Sequence, residues 1–360
     1  MTKKILILGA NGFIGHHLAR RILETTTWEV HAMDIAQDRL SELLAHPRFH
    51  FFKGDIRLEQ AWIDTHIQLC DIILPLVAIA TPATYISDPL SVFELDFEAN
   101  LPIVRATVKH GKRLVFPSTS EVYGMSTDEE FNPETTQLVY GPVTKSRWIY
   151  ACSKQLMDRV ICAYGQQRGL QFTLFRPFNW IGQGQDSLDA AHAGSSRVVT
   201  TFLYAILNCQ TITLVDGGAQ HRSFTCITDG IEALMRILAD SSGLTDGKIY
   251  NIGNPHNDVS VAELASRMVA IAAEYPALRE LAARVCFQVL PGVDVYGAGY
   301  EDPCRRIPDI AAAKADLSWS PKVGLDAALR SILAAHDAAA RGTTINAPFP
   351  PPDVPLSVAA

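Results

Sequence analysis

The chain has 360 residues, 48% of them apolar and 19% charged, which is an ordinary globular balance with room for a large domain and a smaller lobe. A formal net charge of -7 argues against nucleic acid and anionic membrane as principal partners, although local basic residues can still hold a small phosphate ligand. No apolar run is long enough to span a bilayer, so the expectation is a cytoplasmic protein without a membrane partner.

The opening MTKKILILGANGFIG sets Lys3 and Lys4 before a short apolar run that passes straight into glycines. It lacks the small-residue cleavage site of a secretory signal and reads as a first buried strand. From there, β-rich runs at 4–8, 29–34, 49–53, 72–76, 113–117 and 171–176 alternate with amphipathic stretches at 14–25, 58–70, 89–109 and 147–167. Alternation of this kind predicts a parallel sheet wrapped by helices, and the unbroken apolar runs at 5–8 and 72–76 suit strands buried on both faces. Past residue 178 the pattern loosens, with helical segments near 198–207, 229–239 and 261–273. The expected fold is α/β, a Rossmann-type doubly wound parallel sheet at 1–178, to which some later segments return, with a smaller irregular substrate-binding lobe at 179–341. The stretch 342–360 carries five prolines and no period, and is expected to be extended or disordered. The seven cysteines are scattered with no CxxC spacing, which predicts buried thiols in a reducing compartment, without disulfides or a zinc site.

The first chemical signal is Gly9-Ala10-Asn11-Gly12-Phe13-Ile14-Gly15, between the first strand and the first helix. Glycines there let backbone N–H groups approach a pyrophosphate, and the helix terminus adds partial positive charge. Asp34 ends the second strand, where an acid accepts hydrogen bonds from the adenosine ribose, so NAD is expected in preference to NADP. Asp55 and Ile56, after the third strand, are candidates for the adenine edge. The second signal is Tyr150-Ala-Cys-Ser-Lys154, a phenol and an ammonium on one helix face. A tyrosine of pKa near ~10 is a poor base until a neighbouring cation stabilises its phenolate. The strand at 113–117 leads into Ser118-Thr119-Ser120-Glu121, at the carboxyl end of the sheet where ligands bind.

Together these features resemble the extended short-chain dehydrogenase/reductases over roughly residues 1–340. More narrowly, PSTSEVYGM, GPVTKSRWIYACSKQL, FTLFRPFNWIG, DGGAQHRSF and YGAGYEDPCRRIPD resemble the UDP-glucuronate decarboxylases. Among these are the decarboxylase half of the bifunctional polymyxin-resistance enzyme and the plant UDP-apiose/UDP-xylose synthases. The resemblance implies that Tyr150, helped by Ser120 or Thr119, removes the sugar 4-hydroxyl proton while NAD takes hydride from C4. It places Glu121 near C5 and makes Arg306 the proton donor after loss of CO2. It also implies substrate contacts from Ala80, Tyr85, Thr119, Ser120, Arg147, Asn179, Arg197, Arg222 and Tyr300, no metal, and a homodimer packed through helices 89–109 and 147–167.

Departures sharpen the expectation. Sugar 4-epimerases carry a small apolar residue at the position of Glu121, and 4,6-dehydratases an Asp-Glu pair where this chain has Ser120-Glu121. Apiose synthases carry cysteines where Ala80 and Ser120 stand, which argues against ring contraction, and Thr213 replaces a lysine expected to touch uridine. The formyltransferase half of the polymyxin-resistance enzyme is expected to be missing, because the chain starts at the first strand. The leading expectation is UDP-glucuronate converted to UDP-4-keto-pentose, with re-reduction to UDP-xylose left open. An epimerase or dehydratase of a related sugar nucleotide, or an NAD(H)-binding sensor, are the competing readings.

Overall fold

The computed structural model describes residues 2–297 and 300–341. The expected extended tail at 342–360 lies outside the described residues. Seven strands form the main sheet: β1 (Lys4–Leu8), β2 (Glu29–Asp34), β3 (Phe49–Lys53), β4 (Ile72–Pro75), β5 (Arg113–Pro117), β6 (Phe172–Pro177) and β7 (Lys248–Ile252). Their order is β3-β2-β1-β4-β5-β6-β7 and every pairing is parallel. The chain winds outward in one direction through β3 and then restarts at β4 on the other side of β1. That reversal opens a crevice at the carboxyl ends of β1 and β4.

The strands are apolar throughout because both faces are covered. Ile5 and Ile7 of β1 join one core with Leu18, Ile22, Ile231 and Leu234, carried by helices α1 (Phe13–Thr25) and Ile227–Ala239. Leu6 and Leu8 face the opposite core with Ile63, Ile103, Met157 and Ile161. That layer consists of α2 (Gln60–Leu69), α3 (Leu101–Lys109) and α4 (Ile149–Arg168), the last ended by Gly169 in the left-handed conformation at φ 68°. A further core, built on Phe202, Leu264, Met268 and Leu329, packs the helices Val198–Leu207, Val261–Ala272 and Leu325–Ala340 together.

Two expectations are corrected. The stretch 89–109 is not one helix: it runs as Pro89–Phe93, a π-turn at Glu94–Glu98, and α3 beginning just before Pro102. Proline lacks the N–H that a continuous helix needs, and the wide turn swings Asp96 into the core. All seven cysteines are free thiols, but only Cys70 and Cys226 are fully buried, while Cys286 and Cys304 are exposed. Among the described residues, no helix is long and apolar enough to cross a membrane.

One stitch aligns the two sides of the crevice. Phe131 donates its N–H to the Ile307 carbonyl at 2.8 Å and accepts from Asp309 N–H at 3.0 Å. Buried Asn251, on β7, donates to the carbonyls of Phe131 and Asp309 at 2.6 and 3.1 Å and accepts from the Tyr123 hydroxyl at 2.7 Å. The segments after β5 and around residue 306 therefore share an anchor in the sheet. Asn251→Leu is expected to remove a partner from each of three polar groups, the Phe131 and Asp309 carbonyls and the Tyr123 hydroxyl, and lower stability by about 3 kcal/mol, read as a fall in the urea midpoint at unchanged slope.

Candidate active site

The glycine turn closes over β1 as a cradle. A Cβ on Gly15 would lie 2.2 Å from the Gly9 carbonyl oxygen, so only glycine lets α1 seat on the turn. A Cβ on Gly12 would meet only that same oxygen within 4 Å and would otherwise fill the open space above the turn. Gly12 also caps α1 without a side chain, leaving first-turn N–H groups free for an anion. Asp34 ties β2 to this turn by accepting from Asn11 N–H at 2.9 Å and Ala36 N–H at 3.1 Å. Burial lifts its pKa against those bonds. Asn11 in turn holds Asp38 and the Arg39 N–H, each at 2.9 Å. Phe13 is buried in the core and Ile14 packs against it, so both seat the helix. Ile56 is also a core residue, and Asp55 is pinned bidentately by exposed Arg57 at 2.6–3.1 Å. The open cradle, the helix terminus without a side-chain cap and the Asp34 carboxylate at the end of β2 fit a dinucleotide.

Beyond β5 the chain turns sharply through a 3-10 segment, Ser120–Tyr123. Thr119 accepts from the Glu121 N–H at 3.2 Å and shares a hydrogen bond with the Tyr150 hydroxyl. Ser120 is buried beside it. Tyr150 and Lys154 lie one turn apart on α4, both buried, and Tyr85 stacks on Tyr150 with centroids 4.7 Å apart. Lys154 donates to the Pro117 carbonyl at 3.3 Å and lies 5.1 Å from the Phe116 ring centroid. The expected sign of the tyrosine shift is reversed: burial, followed by the charge of Asp96, raises the Tyr150 pKa, outweighing the Thr119 hydrogen bond. Burial likewise lowers that of Lys154, against the pull of Asp96 and Asp158.

Glu121 sits between two guanidiniums, Arg147 Nη2 at 2.5 Å and Arg306 Nη1 at 2.6 Å. The ladder continues from Arg306 Nη2 to Asp302 at 3.3 Å and from Asp302 to Arg222 at 2.5 Å. Three arginines against two carboxylates leave one positive charge, in a site where all three arginines are less than 8% exposed. Burial works to raise the Glu121 pKa, but Arg147 and Arg306 outweigh it and hold the carboxyl at about 2. Nε and Nη1 of Arg147 and Nε of Arg306 are buried without a partner among the described residues, so the ladder retains donor capacity. Tyr300 hydrogen-bonds Asp302 and stacks on Tyr296 at 4.5 Å.

The chain matches the model of the NAD dependent epimerase/dehydratase family over residues 5–253. It belongs to that family. The solved structure of the PbgP3 protein from Burkholderia pseudomallei is 57% identical, spans 95% of this chain and 99% of its own, and superposes at a TM-score of 0.86. The UDP-glucuronic acid 4-epimerase of Bacillus cereus, solved with UDP-glucuronic acid and NAD, is 22% identical over 92% and 98%, at a TM-score of 0.76. The dTDP-glucose 4,6-dehydratase of Bacillus anthracis, solved with NAD, is 19% identical over 92% and 96%, at 0.74. These two share the fold, and the chain is an NAD-dependent enzyme of the epimerase/dehydratase family.

Within this family member, not every residue singled out from sequence converges on the ladder. Arg197 is clamped by Asp186 at 2.7–3.2 Å and lies 5.6 Å from the Phe13 ring, on the cofactor side. Arg222 spends Nη1 on the carbonyls of His221 and Pro303 and Nη2 on Asp302, so its expected bidentate grip on a diphosphate requires those bonds to yield. Asn179 adopts φ 39° and donates to the Ser223 carbonyl at 3.2 Å, and Ala80 lies exposed in the loop after β4. Sequence reasoning missed Asp302, Asp96 and the pair Asp158–Arg176, which accepts from Ser118 at 2.6 Å beneath the site. Asp302 stands four residues before Arg306, a signal that the sequence did offer. The Glu121 pKa lies below its ordinary 4.5, so its stabilisation is full above pH 4.5 and is lost as pH falls toward 2. Glu121→Gln is expected to cost about 3–5 kcal/mol at neutral pH. The gap to wild type should narrow by about 1.4 kcal/mol per pH unit in acid, followed by urea denaturation from pH 7 to pH 3.

Proposed function

We propose that this chain catalyses the NAD-dependent oxidative decarboxylation of UDP-glucuronate to UDP-4-keto-pentose, in the cytoplasm, where its seven free thiols would stay reduced. The observation that carries the reading is the buried Arg147–Glu121–Arg306 triad beside Tyr150, a fixed positive site suited to an acidic sugar. Support also comes from the fold shared with an epimerase solved with UDP-glucuronic acid. In this reading residues 1–178 hold the cofactor and 179–341 supply most of the nucleotide side.

NAD held over the turn by Gly9, Asn11, Gly12 and Gly15, by the backbone N–H groups of Phe13 and Ile14 and by Asp34 would supply a hydride acceptor and a cationic ring. Tyr150 takes the proton of the sugar 4-hydroxyl as the C4–H hydride leaves, and Thr119 orients the phenol. Lys154, one helical turn away, is the cation placed to stabilise the phenolate. Oxidation makes a 4-ketone β to the C5 carboxylate. The C5–C6 bond then breaks, CO2 departs, and the electron pair is delocalised onto the ketone as an enolate. Glu121, ionised at any working pH, holds Arg306 at C5, and Arg306 returns a proton to that carbon. Tyr85, Arg147, Asn179, Arg222 and Tyr300, with Ala80, Ser120 and Arg197, complete the substrate side.

Purified protein mixed with UDP-glucuronate and NAD should release CO2 with matching NADH absorbance. CO2 with little lasting NADH means internal reduction to UDP-xylose. UDP-galacturonate without CO2 means a 4-epimerase and overturns the proposal. Tyr150→Phe should slow CO2 release by about 100-fold or more while leaving NAD affinity within a few-fold, since it removes the proton acceptor and keeps the ring.

The same resemblance proposes a homodimer through the helical faces at 89–109 and 147–167, where Leu90 and Leu156 are 69% and 44% exposed. Sedimentation at micromolar concentration should give twice the chain mass, and Leu90→Glu with Leu156→Glu should halve it.

A further inference from the structure

At the opposite end of the sheet from the glycine turn, β2 and β3 bring three donor groups together. His31 and His50 are direct partners across the parallel ladder, and Glu29 lies two residues before His31 on the same strand face. Glu29 Oε2 is 3.8 Å from Nε2 of His31 and 3.8 Å from Nε2 of His50. One donor atom from each residue falls within 4.8 Å of the others. Bonds of ~2.0–2.1 Å in a tetrahedral zinc site place neighbouring ligand atoms about 3.4 Å apart, so modest side-chain adjustment closes the set on one ion.

A second observation points to a ligand. His31 is 7% exposed, and neither of its ring nitrogens has a hydrogen-bond partner among the described residues. Leaving a buried imidazole unsatisfied is costly, and a metal bond at Nε2 would offset that cost. Burial, helped by His50, His66 and Lys4 and opposed by Glu29, holds the His31 pKa below its ordinary value. Around the cluster, His66 lies 5.5 Å from His31 and is stacked on Trp62 at 3.6 Å, with its Nδ1 against the Trp62 carbonyl at 2.8 Å. Lys4 Nζ is 3.4 Å from Glu29 Oε2 and would give way to a dication.

We propose that Glu29, His31 and His50 form a binding site for a divalent transition metal of the zinc class. Two imidazoles and a carboxylate, with no thiolate, suit Zn2+ with water in the fourth position. The ion clamps edge strand β3 to β2, resisting fraying of a strand that pairs on one side only, and takes no part in the chemistry at the carboxyl ends.

The test uses the full chain without a histidine tag, stripped by chelator and titrated with zinc chloride against a chromophoric competitor. Wild type should bind one Zn2+ per chain and show slower amide exchange across β3. His50→Ala, at a side chain 47% exposed, and Glu29→Gln should weaken binding by about 100-fold or more, beyond the loss typical of an outer-shell change, with NAD binding retained. Cys286→Ser with Cys304→Ser, the exposed thiols, should leave the site intact. No saturable zinc binding in wild type, or binding that survives His50→Ala and disappears with the thiols, overturns the proposal.

Discussion

The Glu121 carboxylate, buried between Arg147 and Arg306, is the interaction on which the rest of the site depends. Without it Arg147 would be a buried guanidinium with no carboxylate beside it and Arg306 would keep only Asp302, which extends the same compensation to Arg222. These five side chains come from a turn after β5, the approach to α4, the segment following β6, and the loop before residue 307. Their charges therefore bring together four distant stretches of chain, and the Phe131–Ile307 pairing and Asn251 fix how closely they meet. Burial also removes the solvent that would screen the surplus positive charge, so an incoming anion meets a field already oriented.

The same depth governs the tyrosine. Desolvation penalises the phenolate of Tyr150 and the ammonium of Lys154 alike, and Asp96 acts on them in opposite senses, raising both pKa values. Asp96 is itself fully buried, with one oxygen on the Ile79 N–H at 2.8 Å, the other without a partner among the described residues, and its pKa raised to about 6 by burial. The protein alone thus holds Tyr150 as a neutral phenol.

Much of this was legible in the sequence for physical reasons. A strand buried on both faces must be apolar without interruption, and a pyrophosphate cradle must lack Cβ atoms, so β1, β4 and the glycine turn show themselves directly. That Glu121 and Arg306 belong to one site was suggested only by resemblance, because a lone acid and a lone arginine 185 residues apart carry no periodic signal. Three features were hidden for distinct reasons. The break in 89–109 depends on Pro102 and a π-turn, which apolar periodicity does not register. The sign of the Tyr150 shift depends on depth of burial, which the YxxxK spacing does not encode. The Glu29–His31–His50 cluster depends on strand register, which aligns residues 19 apart and can be read only once β2 and β3 are paired.

That register links the two ends of the sheet. β2 carries Glu29 and His31 near its start and Asp34 at its end, six residues in all, with no glycine or bulge between them to absorb a shift. Side chains alternate faces along a strand, so a slip of one residue between β2 and its neighbours would turn His31 away from His50 and Asp34 away from Asn11 together. β3 is the edge strand and pairs on one side only, which makes its register the weaker of the two that β2 depends on. A metal bridging His31 and His50 acts at that pairing. By holding β2 and β3 in step it would reinforce a strand whose pairing with β1 already fixes its register, so Asp34 reaches the glycine turn with or without the ion.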